Sequence, residues 1–373
     1  MRRTLSGVLV PVLAVMVIGA GGAVMASHDP NTIHACVEGG NGRVRIVDGT
    51  DKCKASESSL EWNVQGPQGP EGPQGLQGPG GSPGGTLNPM QVALLKWYEV
   101  RQAPAFPVKQ PRALAFDGSH MWVANQLDPA ISGTGVLTKL GLDGSKVGEF
   151  PLGSTADDVL FDGSHIWVAS RLSGSVSKFS LDGKRVGQFP VGDRPVALAF
   201  DGSHIWVANS FSYFVTKLRL DGSNAGNFTL DNLSDAIAFD GSRIWLTTGS
   251  DTVTLVELDG TVVGVFPVGY VPNELAFDGS HMWVANHGDD TVSKLRLDGS
   301  TAGVFAVGDG PGSLAFDGSS MWVSSLFDNT VTKLALDGTR LGDFQAGSGP
   351  GDLAFDGSHI WVANRSSGDV SKL

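Results

Sequence analysis

A ten-residue phrase, Phe-Asp-Gly-Ser-His-Ile/Met-Trp-Val-Ala-Asn, returns along this chain with its tryptophan at Trp122, Trp167, Trp206, Trp245, Trp283, Trp322 and Trp361. The intervals are 45, 39, 39, 38, 39 and 39 residues. A period of that length means one supersecondary unit built repeatedly, each copy burying its apolar faces against its neighbours. Within a copy, four apolar runs are separated by turn chemistry. In the third they are Val196 to Phe200, His204 to Ala208, Val215 to Leu220 and Asn227 to Leu230. Asp-Gly stands between the first and second runs of every copy, and between the third and fourth in the first six. Tight hairpins need such residues because their backbone takes positive φ.

Four strands in about 40 residues make one propeller blade, so the chain is expected to be all-β, with a seven-bladed β-propeller over residues 104–373. A strand solenoid is the alternative architecture. The seventh copy stops after its third run, at Val370 to Leu373, and Phe106-Pro107-Val108 matches the fourth runs Phe189-Pro190-Val191 and Phe266-Pro267-Val268. That early segment is expected to complete the last blade, which removes two open sheet edges. The tryptophans, one in each copy and flanked by aliphatic residues, are read as core.

Ahead of the repeats the composition changes several times. Arg2 and Arg3 precede an uncharged run from Gly7 to Ala26 that ends Val24-Met25-Ala26, the pattern of a cleaved export signal over 1–26. The run is also long enough to cross a bilayer, so an uncleaved anchor is the alternative, and the membrane is a partner only in that case. Export places the chain outside the cell or at its envelope. There the single pair Cys36 and Cys53 reads as a disulfide, closing a small β module over 30–64 whose runs Ile33 to Val37 and Val44 to Val47 flank Gly39 to Gly42. Glycine then falls at 66, 69, 72, 75, 78, 81 and 84, a collagen-like Gly-X-Y linker over 66–86. It reads first as an extended spacer, with homotrimerisation as the alternative. Asn88 and Pro89 start a short helix and connector over 88–103.

A net charge of -12 with only 26 lysines and arginines, and no basic cluster, excludes nucleic acid as a partner. No nucleophile elbow, zinc-protease helix or phosphate loop occurs. Blade alternation places both Asp-Gly turns on one face of the ring, while the fourth-to-first and second-to-third connections share the other. The first face is nearly identical from blade to blade. Its His120, His165, His204, His281 and His359 are read as turn support rather than metal ligands, because the rim spreads them too far apart to converge.

The second face varies, and rigid scaffolds concentrate binding residues on such loops. Arg112, Asp157, Asp158, Arg194, Asp235, Asn273 and Glu274 are expected to ring the channel mouth, with Phe211 and Tyr213 as exposed aromatics beside it. The longer first-blade loop, Gln126 to Gly135, is a candidate lid.

On blade phrases such as Ala199-Phe200-Asp201-Gly202-Ser203-His204-Ile205-Trp206-Val207-Ala208-Asn209, residues 104–373 resemble the NHL-like and YVTN-type propellers, including streptogramin lyase and SMP-30/gluconolactonase-like proteins. For the lyase subgroup the resemblance implies a funnel metal held by paired histidines and an acidic residue. After the tryptophan strand this chain instead carries Asn125, Ser170, Asn209, Thr248, Asn286, Ser325 and Asn364, so no catalytic residue is carried over. The expectation is an exported binding module for a protein, glycan or small polar ligand, without a cofactor. A lyase or lactonase-like enzyme with Ca or Mg in the funnel, and a structural surface protein assembling through the Gly-X-Y run, are the alternatives.

Overall fold

The computed structural model describes residues 32–38, 44–47, 53–54, 57–63, 104–126, 135–249 and 251–373. The leader, the Gly-X-Y run, the short helix and most of the first-blade loop lie outside the described residues, as does the Cys36 side chain and with it the expected disulfide. Two compact units are present, Met1–Gly85 and Thr86–Leu373. The first is a three-stranded antiparallel sheet with Thr32–Glu38 between Val44–Val47 and Glu57–Asn63. His34 pairs with Val47 across the hairpin and with Glu61 on the other side. The third strand is not obvious from sequence, because Glu57-Ser58-Ser59-Leu60-Glu61 has no β-branched residue.

The second unit holds seven four-stranded antiparallel sheets, a seven-bladed β-propeller. The innermost strands are Pro111–Phe116, Asp158–Phe161, Pro195–Phe200, Ser234–Phe239, Pro272–Phe277, Pro311–Phe316 and Pro350–Phe355, in blades 1 to 7. Each packs against the next and the seventh against the first, so their free edges enclose a central channel. In blade 7 the outermost strand is Ala105–Pro107, with Phe106 opposite Val370.

The apolar core lies between blades rather than inside them. One cluster joins Trp122 and Leu137 of blade 1 to Val159, Ile166 and Phe179 of blade 2, and the pattern continues round the ring. At the junction of blades 7 and 1, Trp361 and Val370 meet Leu114, Met121 and Val123, with Phe106 packed against them.

The repeated phrase builds one device seven times. In blade 5 the Asp278 carboxylate accepts hydrogen bonds from the amides of Ser280 (2.8 Å) and His281 (2.6 Å) and from the Trp283 indole (2.8 Å). One side chain thus shapes the hairpin and fixes the core tryptophan. Burial alone would raise this carboxyl. The donors from Trp283, Ser280 and His281 outweigh it and hold it below its ordinary range. Lys294 lies over the same indole, 4.9 Å from its centroid, and donates to the Leu336 carbonyl of blade 6 at 2.6 Å.

Four other junctions carry the same lysine clamp, for example Lys139 to Leu181 and Lys372 to Leu142. Blade 4 has Leu255 where the lysine would stand, and Arg243, in the histidine position, reaches the Leu297 carbonyl of blade 5 at 2.8 Å.

The histidines take part in this device through their backbone amides, and their rings stay close to the aspartates; Nδ1 of His204 is 3.5 Å from Asp201. A second contact repeats between blades. In blades 1 to 6 the turn glycine before the outer strand lies under a phenylalanine of the preceding blade. A Cβ on Gly183, whose φ is +86°, would come within 1.9 Å of Phe150, and one on Gly144 within 1.9 Å of Phe106.

Candidate functional site

Six of the residues expected at the mouth cluster on or beside the innermost strands. Arg112, Asp158, Asp235, Asn273 and Glu274 sit inside those strands rather than in loops, and Asp157 directly precedes one. Five of the seven strands begin at the proline closing their connection, so in blades 1 and 5 Arg112, Asn273 and Glu274 fall one or two residues further along, on the channel wall.

The connections explain part of this arrangement. Gln110, Arg194 and Val271, each before a proline, take φ of 45°, 52° and 53°. Their carbonyls accept the amides of Gln126, Ser210 and His287, the first residues after the tryptophan strands. In blade 2 the Asp157 carboxylate does this work, accepting the Arg171 amide at 3.1 Å. Its other oxygen lies 3.3 Å from Arg112 Nε and 3.1 Å from Arg171 Nε. Arg365 of blade 7 completes the group. It rests over Gly351, where a Cβ would lie 2.7 Å from its Nε. Burial and the like charges of Arg365 and Arg171 bring the Arg112 guanidinium down to about 10, against the opposing pull of Asp157 and Asp158.

Deeper in the channel three carboxyls cap free strand edges. Asp352 accepts the Leu114 amide of the next blade at 2.7 Å, and Asp158 accepts that of Leu198 at 2.7 Å. Glu274 accepts only its neighbour Leu275 at 3.0 Å. Burial pushes Asp158 up to about 7, with the Asp352 charge adding to it and the Leu198 and Val159 amides opposing. Burial, again reinforced by Asp352, raises Glu274 to about 8. Asp352 is raised by burial against the amide and Ser313 donors, and Asp235 by burial alone.

These shifts set a pH dependence. A carboxyl raised in the fold contributes stability that is complete below its unfolded value and lost as pH climbs through the folded one. Melting temperature is therefore expected to fall between about pH 5 and pH 8 and then level off, following the values for Asp158 and Glu274. Glu274→Gln should flatten that slope and stabilise the protein by about 1–2 kcal/mol at pH 8.5. A thermal-denaturation series that stays flat over this range in wild type would refute the assignment.

The remaining expected residues stand apart. Phe211 and Tyr213 are 56% and 59% exposed. The Arg194 guanidinium lies over the Phe211 ring at 3.8 Å, an aromatic-cationic patch on blade 3. Arg171 and Arg365 were not among the expected site residues. Both directly follow the Asn/Ser/Thr column that closes the tryptophan strand, and that next column is where each blade departs from the repeat: Gln126, Arg171, Ser210, Gly249, His287, Leu326 and Arg365. The column before it is structural. Asn209, for instance, donates to Thr216 and accepts the Gly192 amide, both at 3.1 Å.

The ring has known counterparts. Streptogramin B lyase matches with a TM-score of 0.62 at 15% identity, over 72% of this chain and 95% of that one. Virginiamycin B lyase from Staphylococcus aureus gives 0.63 at 14%, over 73% and 98%. Hydrazine synthase of Kuenenia stuttgartiensis gives 0.62 at 19%, over 71% and 96%. Such likeness establishes the propeller fold. No protein-family model matches the chain, and no curated protein matches it in sequence.

Among the described residues the channel does not supply the paired-histidine metal centre that the lyase resemblance implies. Among the described residues no three His, Cys, Asp or Glu side chains come together as a metal-holding group, and the innermost strands carry no histidine.

Proposed function

We propose that this chain is an exported recognition module that binds a small polar ligand at the variable mouth of its propeller. The observation that carries the reading is the departure from repetition at one place. Around an otherwise near-identical ring, blades 7, 1 and 2 bring Arg365, Arg112, Asp157 and Arg171 together, while Asp235 and Glu274 stand on blades 4 and 5. Rigid scaffolds with a polarised concave centre are where ligands are held. The Gly66 to Gly84 run would serve as a stalk, with Cys36 and Cys53 closing the module before it. Hydrogen-exchange mapping with ligands drawn from mono- and dicarboxylates, sugar phosphates and neutral oligosaccharides tests this. Protection is expected at Arg112–Leu114, Asp157–Val159 and Asn273–Leu275. Protection confined to the Asp-Gly turns, or none with any ligand, would sink the reading.

A lyase-type enzyme is the second reading, favoured by the channel carboxyls. Asp158 at about 7 and Glu274 at about 8 can hold or release a proton near neutrality, as a general acid-base pair requires. One solved lyase neighbour carries quinupristin, so that compound is the substrate to try. Chemical conversion of the compound by wild type, lost in Glu274→Gln, would establish the enzyme; an intact compound after prolonged incubation would remove this substrate. Assembly through the collagen-like run is a separate question, answered by whether the chain sediments as a trimer.

A further inference from the structure

We infer that Arg112, Arg171 and Arg365 form an oxyanion site that holds the carboxylate or phosphate group of a small ligand at the channel mouth. The inference rests on the recognition reading above and names the chemistry of its ligand.

The charge count is the first argument. Three guanidiniums from consecutive blades face one contacting carboxylate, and both ion pairs of Asp157 use the same oxygen, at 3.3 Å from Arg112 and 3.1 Å from Arg171. Its second oxygen is occupied by the Thr155 hydroxyl at 3.2 Å and the Arg171 amide at 3.1 Å. Asp157 therefore stands at ion-pair distance from two arginines through one oxygen, and neither that oxygen nor Arg112 Nε makes a hydrogen bond to another described residue, so the contacts are charge pairing alone. Arg365 makes no ion pair with another described residue; the charges of Asp352 and Asp157 draw it at longer range, while its own charge repels Arg112 and is part of what depresses that guanidinium.

Donor geometry is the second argument. Arg112 and Arg171 reach Asp157 at ion-pair distance without a hydrogen bond, and the terminal nitrogens of all three side chains make no hydrogen bond to another described residue. Planar guanidinium forks left open in this way match the two-oxygen edge of a carboxylate or phosphate. The third argument is the surroundings. The chain carries a net charge of -12, so this cationic island is no part of a general positive field. Gly351 leaves Arg365 room beside the wall, because any side chain there would collide with it.

A purely structural bridge would need Arg112, Asp157 and Arg171 alone. The two roles therefore predict different behaviour for Arg365→Gln. If the site is built for an anion, that substitution relieves the repulsion on Arg112 while giving up the attraction of Asp352 and Asp157, so the unliganded protein melts near wild type, while anion affinity drops roughly tenfold or more, as expected for losing a bidentate charge-assisted contact.

The experiment is calorimetric and thermal-shift titration of the full chain with inorganic phosphate, acetate and citrate, against chloride at constant ionic strength. Saturable binding by wild type is expected, weakened in Arg365→Gln and in Arg171→Gln, and unchanged in Arg219→Gln on the opposite face. A response to the carboxylates alone assigns an organic acid and one to phosphate alone a phosphate ester; either supports the site. Equal response to chloride, or full binding by Arg365→Gln, overturns it. Mouth protection by a neutral oligosaccharide together with no anion response would remove this inference and leave the recognition reading intact. Absence of mouth protection with every ligand would remove both.

Discussion

Asp278→Ala is expected to lower the unfolding free energy by about 3–5 kcal/mol, the cost typical of removing one partner from a buried ionic network. The carboxylate is 6% exposed and holds two turn amides, the Trp283 indole and Lys294, whose ammonium is 3.6 Å away. Alanine would leave the indole N–H and the ammonium buried with fewer acceptors, and an unmade buried hydrogen bond is costlier than the same bond is stabilising. The hairpin would lose its side-chain brace in the same step. Chemical denaturation compared with Asp259→Ala, on the exposed outer turn of blade 4, measures this. The outer-turn variant should stay near wild type, and a loss below about 1 kcal/mol for Asp278→Ala would mean that the glycine turn alone shapes the hairpin.

The second large effect concerns the junction of blades 7 and 1. Phe106→Ala should cost about 3 kcal/mol, as for a large core truncation, because the ring sits 5.5 Å from Trp361 and fills the space over Gly144. Approached from the other side, Gly144→Ala combines a φ of +80° with a Cβ 1.9 Å from that ring. Gly118→Ala has a similar φ, +90°, but nothing within 4 Å of its Cβ. Both variants carry backbone strain of about 1 kcal/mol, and the excess cost of Gly144→Ala, about 2 kcal/mol or more, reports the wedge. Equal melting temperatures for the two glycine variants would show that Phe106 does not hold this junction.

The architecture was legible because it is written seven times. Strand number, turn positions and the burial of the tryptophans follow from spacing and residue type, which need no knowledge of distant contacts. The role of the turn aspartate was only half legible. Asp-Gly signals a hairpin, but that the second oxygen of Asp278 reaches the indole five residues on depends on how the strand folds back.

At the mouth, Arg112, Asp157, Asp158, Asp235, Asn273 and Glu274 stood out because they break the repeat. Arg171 and Arg365 break it too, one position beyond the column that drew attention. Their meeting with Arg112 joins residues far apart in sequence, and only closure of the ring brings blades 7 and 2 to either side of blade 1. The stacking of Arg194 on Phe211 was hidden for a related reason, since it links a blade connection to the loop opposite it.

The exception in blade 4 bears on how such a ring can change. Arg243 closes the turn before one strand of blade 4 and Leu255 lies in the next strand, yet the arginine reaches the same kind of interblade carbonyl that a lysine reaches elsewhere. Replacing Arg243 by histidine alone would leave the Leu297 carbonyl without its cation, and replacing Leu255 by lysine alone would crowd two cations into one slot. The two positions are therefore epistatic. Any stepwise conversion between the two junction types passes through a weakened intermediate, unless both residues are exchanged at once.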